Sequence, residues 1–192
     1  MARLIYGVGY NSKTRHKALV GGRPTSAYDK WHGMIQRCYS SKMQEKHPSY
    51  IGCDVASEWY DFQDFADWFY SHPYSALGYQ LDKDLIIPNN KVYSSDACCF
   101  VPSELNTLLI SCTSSRGALP QGVYFSKERG KYKAQLSINS KKLYLGYFDC
   151  PNEAHQAYKI AKERHVKVKA IEWKDRIDTR VFIALMNWRL EK

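Results

Sequence analysis

Residues 131–148 read KYKAQLSINSKKLYLGYF, and their pattern decides the fold of the second half of the chain. Apolar and polar side chains alternate on both sides of Asn139-Ser140, and alternation with a period of two is typical of a strand with one buried face. One face of the first run is apolar and consists of Tyr132, Ala134, Leu136 and Ile138. The other face is polar and consists of Lys131, Lys133, Gln135 and Ser137.

A third strand is predicted just upstream, in GVYFSKE at 122–128, because a tight turn at Arg129-Gly130 separates it from the run that begins at 131. The result is a three-stranded antiparallel meander. Downstream, Pro151-Asn152 is a helix start signal. The following helix carries a narrow seam of small and apolar side chains, namely Ala154, Ala157, Tyr158 and Ala161. We expect this seam to cover the apolar side of the sheet and to leave the basic side in solvent.

The net charge of +9 is concentrated in the same half of the chain. Residues 1–117 carry 12 Lys and Arg against 11 Asp and Glu, whereas residues 118–192 carry 16 against 8. A charge difference between halves favours a nucleic-acid-binding segment, although a solvated basic face without function is the simpler alternative.

Residues 118–170 resemble the ethylene-response-factor (APETALA-type) DNA-binding domain, which also occurs in phage nucleases and integrases. The resemblance rests on the Gly-Val opening at 122–123, KYKA at 131–134, LGYF at 145–148 and EAHQAY at 153–158. It implies that the sheet enters the major groove of double-stranded DNA, which admits a β-ribbon. The contacts that it implies come from Tyr124, Lys127, Arg129, Lys131, Lys133, Gln135, Lys141 and Lys142.

Two helices rich in aromatic residues are predicted in the first half of the chain. Trp31, Met34, Ile35 and Cys38 follow helical spacing within residues 26–39. A second stripe lies within 57–72, where Ser57 is the expected N-cap. We interpret 1–25 as an N-terminal arm, 26–110 as the first domain, 111–120 as a linker, 121–172 as the sheet domain and 173–192 as a closing helix.

Residues 81–106, LDKDLIIPNNKVYSSDACCFVPSELN, predict a strand, a turn, a second short strand and a helix that Ser103 caps. Together with WHGMIQRCY at 31–39 and GCDVASEWYDFQDF at 52–65, this stretch resembles phage HNH endonucleases of the homing type. The resemblance implies a ββα-metal module in which Asp82 and Asn106 hold Mg²⁺ or Mn²⁺. Lys83 stands where that class most often has histidine, and Ala97 stands where it has the asparagine that braces the loop.

The expected fold class is therefore α+β, with an HNH-like ββα module and aromatic helices followed by a three-stranded antiparallel sheet packed on one helix. The expected function is a bacteriophage-type DNA endonuclease, a hydrolase that binds duplex DNA and cuts a phosphodiester bond with catalytic residues Asp82, Lys83 and Asn106. A DNA-binding protein with a decayed nuclease site, acting as a regulator or as an inhibitor of a host machine, is the alternative. An RNA-binding protein is a weaker alternative, because the middle strand offers no aromatic side chain on its polar face.

Six cysteines at irregular spacing disfavour both a disulfide framework and a zinc site, which typically uses paired ligands at short spacing. No apolar run approaches the length of a bilayer span, so no membrane partner is expected. The expected location is the cytoplasm of an infected bacterial cell. Sequence patterns predict neither the protein partners nor the oligomeric state.

Overall fold

The computed structural model describes residues 4–109 and 119–190, and the chain divides into two compact units. The first unit contains the residues up to Ser103 and the short segment Ile177–Val181. The second contains Glu104–Arg176 and the residues from Phe182 onward. The described residues form a mixed α+β structure with a three-stranded antiparallel sheet, as the sequence predicts, and they include six α-helices.

The first unit begins with an ordered N-terminal segment. Strands β1 (Leu19–Val20) and β2 (Arg23–Pro24) form an antiparallel hairpin within the residues that we interpreted as an arm. Helices α1 (Ser26–Tyr39) and α2 (Ser41–Lys46) follow. The predicted helix at 26–39 is confirmed, and Thr25 caps it by accepting a hydrogen bond from the backbone N–H of Tyr28 at 3.3 Å.

Strand β3 (Asp54–Val55) leads into helix α3 (Phe62–Ser71), which begins later than the sequence predicts. Residues 57–59 form a separate 3-10 turn, so the prediction of Ser57 as the helix N-cap is wrong. Asp61 caps α3 instead, because its carboxylate accepts a hydrogen bond from the backbone N–H of Gln63 at 3.1 Å. The aromatic stripe of this helix lies in the core, as predicted.

The core of the first unit is built from large aromatic side chains that are fully buried, namely Trp31, Trp59, Phe62, Phe65, Phe69 and Phe100. Neighbouring rings meet edge to face or tilted, which is the arrangement that aromatic pairs prefer. The indole N–H of Trp31 donates to the carbonyl of Trp59 at 2.8 Å, so burial leaves this polar group satisfied.

Three short strands and a helix follow: β4 (Gln80–Asp82), β5 (Val92–Tyr93), β6 (Cys99–Val101) and α4 (Ser103–Leu109). Strand β4 pairs antiparallel with β6, and Asp82 lies opposite Cys99. Strand β5 pairs in parallel with β3 and was not predicted as a strand. The predicted helix is present as α4, but Ser103 is its first residue rather than the residue before it. The predicted linker at 111–120 lies largely outside the described residues.

The sheet of the second unit has the predicted order and direction. It consists of β7 (Val123–Ser126), β8 (Lys131–Ile138) and β9 (Lys141–Phe148), with the two-residue turn at Asn139-Ser140 in left-handed conformation. Helix α5 (Pro151–Trp173) packs on one side through Ala154 and Tyr158, which meet Val123, Ala134 and Leu136. Helix α6 (Thr179–Asn187) follows.

Two irregularities shape this unit. The register of β8 against β9 shifts between Ala134 and Gln135, which marks a β-bulge. Gly122, just before β7, has a φ of +77° and lies so close to α5 that a Cβ there would meet the Tyr158 ring at 2.0 Å. None of the helices among the described residues is both long enough and apolar enough to span a bilayer.

Candidate functional site

The side of the three-stranded sheet that faces away from α5, here called the open face, is polar and aromatic. The register places Tyr124 of β7 and Tyr147 of β9 on either side of Lys133 in the middle strand. Tyr144 lies opposite Gln135 in the same way. The open face therefore alternates cationic or amide groups in its centre with phenol rings along its edges.

Arg129 joins this surface from the turn between β7 and β8. Its guanidinium carbon lies 4.7 Å from the centroid of the Tyr147 ring, a cation–π contact that holds the side chain against the sheet. A shallow depression of about 350 Å³ lies beside the Tyr147 ring. The residues that line it are Tyr124, Phe125, Ser126, Lys127, Glu128, Lys133 and Tyr147.

Most of the eight predicted contact residues lie on or beside the open face, but Lys131 and Lys141 differ from the others. Lys131 is on the open face but forms an ion pair with Asp149 at 3.0 Å, so its charge is partly neutralised. Lys141 lies opposite Ile138, which packs toward α5, so its side chain starts on the other side of the sheet. Lys142, opposite Ser137, is on the open face.

Tyr144 and Tyr147 were missed by the sequence reasoning. Strict alternation puts residues 144 and 147 on opposite faces, whereas the bulge shifts the phase by one residue and brings both onto the open face. Tyr144 is 53% exposed and Tyr124 is 55% exposed. Gly146 is the one residue in the sequence that suggests an irregular strand at this point, and its φ is +135°.

The side chains of the open face suit a ligand that combines negative charges with stacked rings. Ammonium and guanidinium groups bind phosphate oxygens, an amide such as that of Gln135 pairs with a base edge, and apolar ring surfaces contact sugars and methyl groups. The middle strand carries no aromatic side chain on the open face, as the sequence predicts, but the flanking strands supply three tyrosines.

In the first unit, Asp82 ends β4 and forms a tight turn. Its Oδ1 accepts hydrogen bonds from the backbone N–H groups of Asp84 at 3.0 Å and Leu85 at 2.8 Å. Oδ2 accepts no hydrogen bond from the residues that the structure describes. Burial raises the pKa of this carboxyl, and the nearby charge of Asp84 raises it further.

Lys83, which the sequence resemblance places at the histidine position of the HNH class, is buried. Its ammonium group donates to Asp84 Oδ2 at 2.6 Å and lies 5.8 Å from the centroid of the Tyr93 ring. Burial alone would lower the pKa of this amine, but the hydrogen bond and charge of Asp84 outweigh it and raise the pKa. Lys83 therefore stays protonated near neutral pH and is poorly suited to act as a general base.

Asn90 makes the loop-bracing hydrogen bonds that the resemblance assigns to position 97. Its amide nitrogen donates to the carbonyls of Lys83 and Val92, each at 2.7 Å, and its oxygen accepts from the N–H of Val92 at 3.2 Å. Ala97 is buried and has no side-chain group for this task. The sequence reasoning treated Asn90 only as part of a turn at Pro88-Asn89-Asn90, so its position between two strands was the overlooked signal.

Asn106 lies on α4 and belongs to the second unit, whereas Asp82 belongs to the first. The pairing of the two as metal ligands therefore stays a prediction. Within the described residues, no group of three or more His, Cys, Asp or Glu side chains is arranged to hold a metal ion. A divalent ion at Asp82 would need most of its ligands from water and substrate.

His72 occupies the C-terminal end of α3 and is committed to a local cluster. Its Nδ1 accepts a hydrogen bond from the backbone N–H of Tyr74 at 3.3 Å, and its Nε2 lies 3.8 Å from Asp178 Oδ2. Arg180 binds the same carboxylate at 2.9 Å. Burial lowers the pKa of His72, Asp178 partly opposes this effect, and Arg180 adds to it.

No protein-family model matches the chain, and neither a curated protein nor a solved structure matches it.

Proposed function

We propose that the chain binds duplex DNA through the open face of its three-stranded sheet. The observation that carries this proposal is the group formed by Arg129, Lys133 and Gln135 beside the exposed rings of Tyr124 and Tyr144 and the half-buried ring of Tyr147. All of them except Arg129 lie on paired strands, and Arg129 is held against the Tyr147 ring, so binding would not have to order a loop first.

Electrostatics favours a polyanion as the partner. Lys127, Lys133 and Lys142 form no ion pair with the described residues, so their charges are available to a ligand. Residues 118–192 contain 16 Lys and Arg and 8 Asp and Glu, an excess of eight positive charges. Such an excess raises association rates with nucleic acid and supplies most of the affinity that does not depend on base sequence.

The side chains on the open face also suit the major groove. The groove is about 12 Å wide and admits a β-ribbon, whose side chains then reach the base edges. Lysine and arginine pair with guanine, and glutamine pairs with adenine. Lys133 and Gln135 point the same way along β8, so we assign them to base contacts and Lys127 and Lys142 to phosphates.

The test measures binding of the intact chain to a panel of duplexes by fluorescence anisotropy. Lys133→Ala and Gln135→Ala should each change the order of preference among the duplexes, because each removes a base contact. Lys127→Ala should weaken binding to all duplexes by a similar factor. If Lys133→Ala and Gln135→Ala also weaken all duplexes equally, these residues contact only the backbone.

A second candidate function, metal-dependent hydrolysis of a phosphodiester bond, is favoured by one observation. Asp82 ends a strand that pairs antiparallel with β6, α4 follows β6 directly, and Oδ2 of Asp82 is left without a hydrogen bond from the described residues. Carboxylate oxygens are the ligands that Mg²⁺ and Mn²⁺ prefer, so this residue fits one such ion in part. We infer that the chain is a DNA endonuclease of the HNH kind, or descends from one.

The roles of the residues around Asp82 follow from their contacts. Asp82 would orient an ion through Oδ2 while Oδ1 holds the turn, and Asn90 fixes the loop that carries both Lys83 and Asp84. A bound Mg²⁺ or Mn²⁺ would neutralise charge on the phosphate and lower the pKa of a coordinated water. Lys83 would act on the turn by neutralising Asp84 rather than by removing a proton.

Nicking of supercoiled plasmid with Mn²⁺ or Mg²⁺, with a chelator as the control, tests this second candidate. The expected result is metal-dependent nicking that Asp82→Asn abolishes while DNA binding persists. If the parent chain cuts nothing in either metal, the decayed site of a DNA-binding regulator or inhibitor becomes the better description.

A further inference from the structure

We propose that the β1–β2 hairpin, residues 17–24, is a wedge that inserts Leu19 and Val20 between base pairs of the bound duplex from its minor groove. This inference rests on the proposed DNA-binding function and adds a second contact that deforms the DNA. Leu19 is 53% exposed and Val20 is 64% exposed, although both are aliphatic side chains on an ordered strand. Neither side chain belongs to the aromatic core of the first unit.

The tip of the hairpin is narrow and exposed. Gly21 and Gly22 form the turn with φ values of +57° and +75°, and an added Cβ at either position would meet nothing within 4 Å. The two glycines leave the turn free of side chains. Leu19 and Val20, just before Gly21, therefore lie close to the end of the hairpin. Such a tip fits a narrow groove better than a bulky loop does.

The base of the hairpin is held firmly, which a wedge requires. Thr25 donates its backbone N–H to the carbonyl of Ala18 at 2.9 Å and its hydroxyl to the carbonyl of Lys17 at 3.3 Å. Ala18 packs against the aromatic core. Arg15 and His16, just before the hairpin, donate their backbone N–H groups to the side-chain oxygen of the fully buried Gln63 at 2.8 and 2.6 Å.

Charge indicates which partner the hairpin meets. Residues 11–28 contain four cationic side chains, Lys13, Arg15, Lys17 and Arg23, and contain no Asp or Glu. Arg15 is paired with Asp64 and Asp67, whereas Lys17 and Arg23, on either side of the tip, form no ion pair with the described residues. Apolar groups between two cations match a minor groove, where phosphates flank the stacked bases.

Inserted aliphatic side chains partly unstack a base step and bend the duplex toward the major groove. Flexible steps such as TA are deformed most easily, so the hairpin would add a preference for such steps that needs no hydrogen bond to a base. The chain would then select its sites both by contacts in the major groove and by the ease of bending.

The experiment uses the intact chain and a short duplex in which 2-aminopurine replaces adenine at TA steps. This base fluoresces more strongly when it is unstacked. Binding of the parent chain should raise the fluorescence several-fold and shorten the end-to-end distance measured by energy transfer between dyes on the duplex ends. The variant Leu19→Ala/Val20→Ala should lose most of both signals at saturating protein.

Ile160→Ala/Ile171→Ala provides the matched control, since these two residues on α5 are 68% and 60% exposed and are also aliphatic. This variant should keep both signals, and thermal melts should show that both variants remain folded. Unchanged fluorescence and bending in Leu19→Ala/Val20→Ala would overturn the wedge while DNA binding itself stands. A change in oligomeric state or in vesicle binding, with both DNA signals intact, would identify another partner and also overturn it. If the parent chain binds no duplex at all, the proposed function fails together with the wedge.

Discussion

At the scale of single residues, Asp82 shows how one side chain combines a structural and a candidate chemical role. The sequence predicts it as a metal ligand, and no sequence pattern indicated that one of its oxygens closes the turn at 82–85. That contact depends on the backbone path after β4, which local propensity does not determine. Lys83 is a similar case, because the sequence could not show that Asp84 would hold its amine and raise its pKa.

Substitution of Asp82 separates these two roles. Asp82→Ala removes the acceptor of two backbone N–H groups and should lower the free energy of unfolding by about 1–3 kcal/mol. Asp82→Asn keeps an oxygen in place and removes a buried charge, so its stability should stay close to that of the parent. Chemical denaturation measures both, and equal losses in the two variants would contradict the assignment of Oδ1 to the turn.

His72 gives the fold a dependence on pH. Its pKa in the folded state is below the ordinary value of 6.5, because burial penalises the charged ring. The unfolded chain therefore binds the proton more readily than the folded chain does. The contribution of neutral His72 to stability is complete above pH 6.5 and is lost as the pH falls below 6.5. His72→Asn keeps an acceptor for the N–H of Tyr74 but does not titrate.

Thermal melts of the parent and of His72→Asn, between about pH 7.5 and about pH 5, test this effect. The parent should lose more stability on acidification than the variant does. The two curves would be parallel if protonation of His72 did not oppose folding.

At the scale of elements, hydrophobic periodicity was sufficient to predict α1 and the order of the three strands of the sheet. It could not locate the bulge in β9, because a bulge is set by how two strands pair and not by the sequence of one. The open face consequently carries one more tyrosine than alternation allows. The start of α3 was misplaced for a related reason, since both Ser57 and Asp61 are good N-caps and only the tertiary fold selects between them.

Gly122 sets how closely β7 approaches α5. Gly122→Ala combines a left-handed backbone with a Cβ that would overlap the Tyr158 ring, so we expect a loss of about 3 kcal/mol or more. Gly130→Ala is the matched control, because Gly130 has a φ of +62° and nothing within 4 Å of an added Cβ. It should cost about 1 kcal/mol. Equal losses in denaturant titrations would show that the contact with Tyr158 is unimportant.

At the scale of the whole molecule, averaging charge over each half of the chain was partly misleading. The balance of 12 against 11 in residues 1–117 conceals the cationic segment at 11–28, and only the hairpin geometry shows that two of those charges flank exposed apolar groups. The interpretation of residues 1–25 as an arm missed this because short two-residue strands leave almost no periodic signal. The concentration of charge in the second half, by contrast, was readable from composition alone.

The most direct test of DNA binding through the open face compares two variants that remove the same charge. Lys127, Lys133 and Lys142 are replaced by alanine in one, and Lys30, Lys42 and Lys46 of the first unit are replaced in the other. Binding of a duplex is measured by anisotropy over a series of salt concentrations. The open-face variant should bind far more weakly, and the slope of log K against log salt should fall in magnitude by about 2, because the lost phosphate contacts of Lys127 and Lys142 each remove about 0.9. The control should keep the parent slope, and equal losses in the two variants would contradict a specific role for the open face.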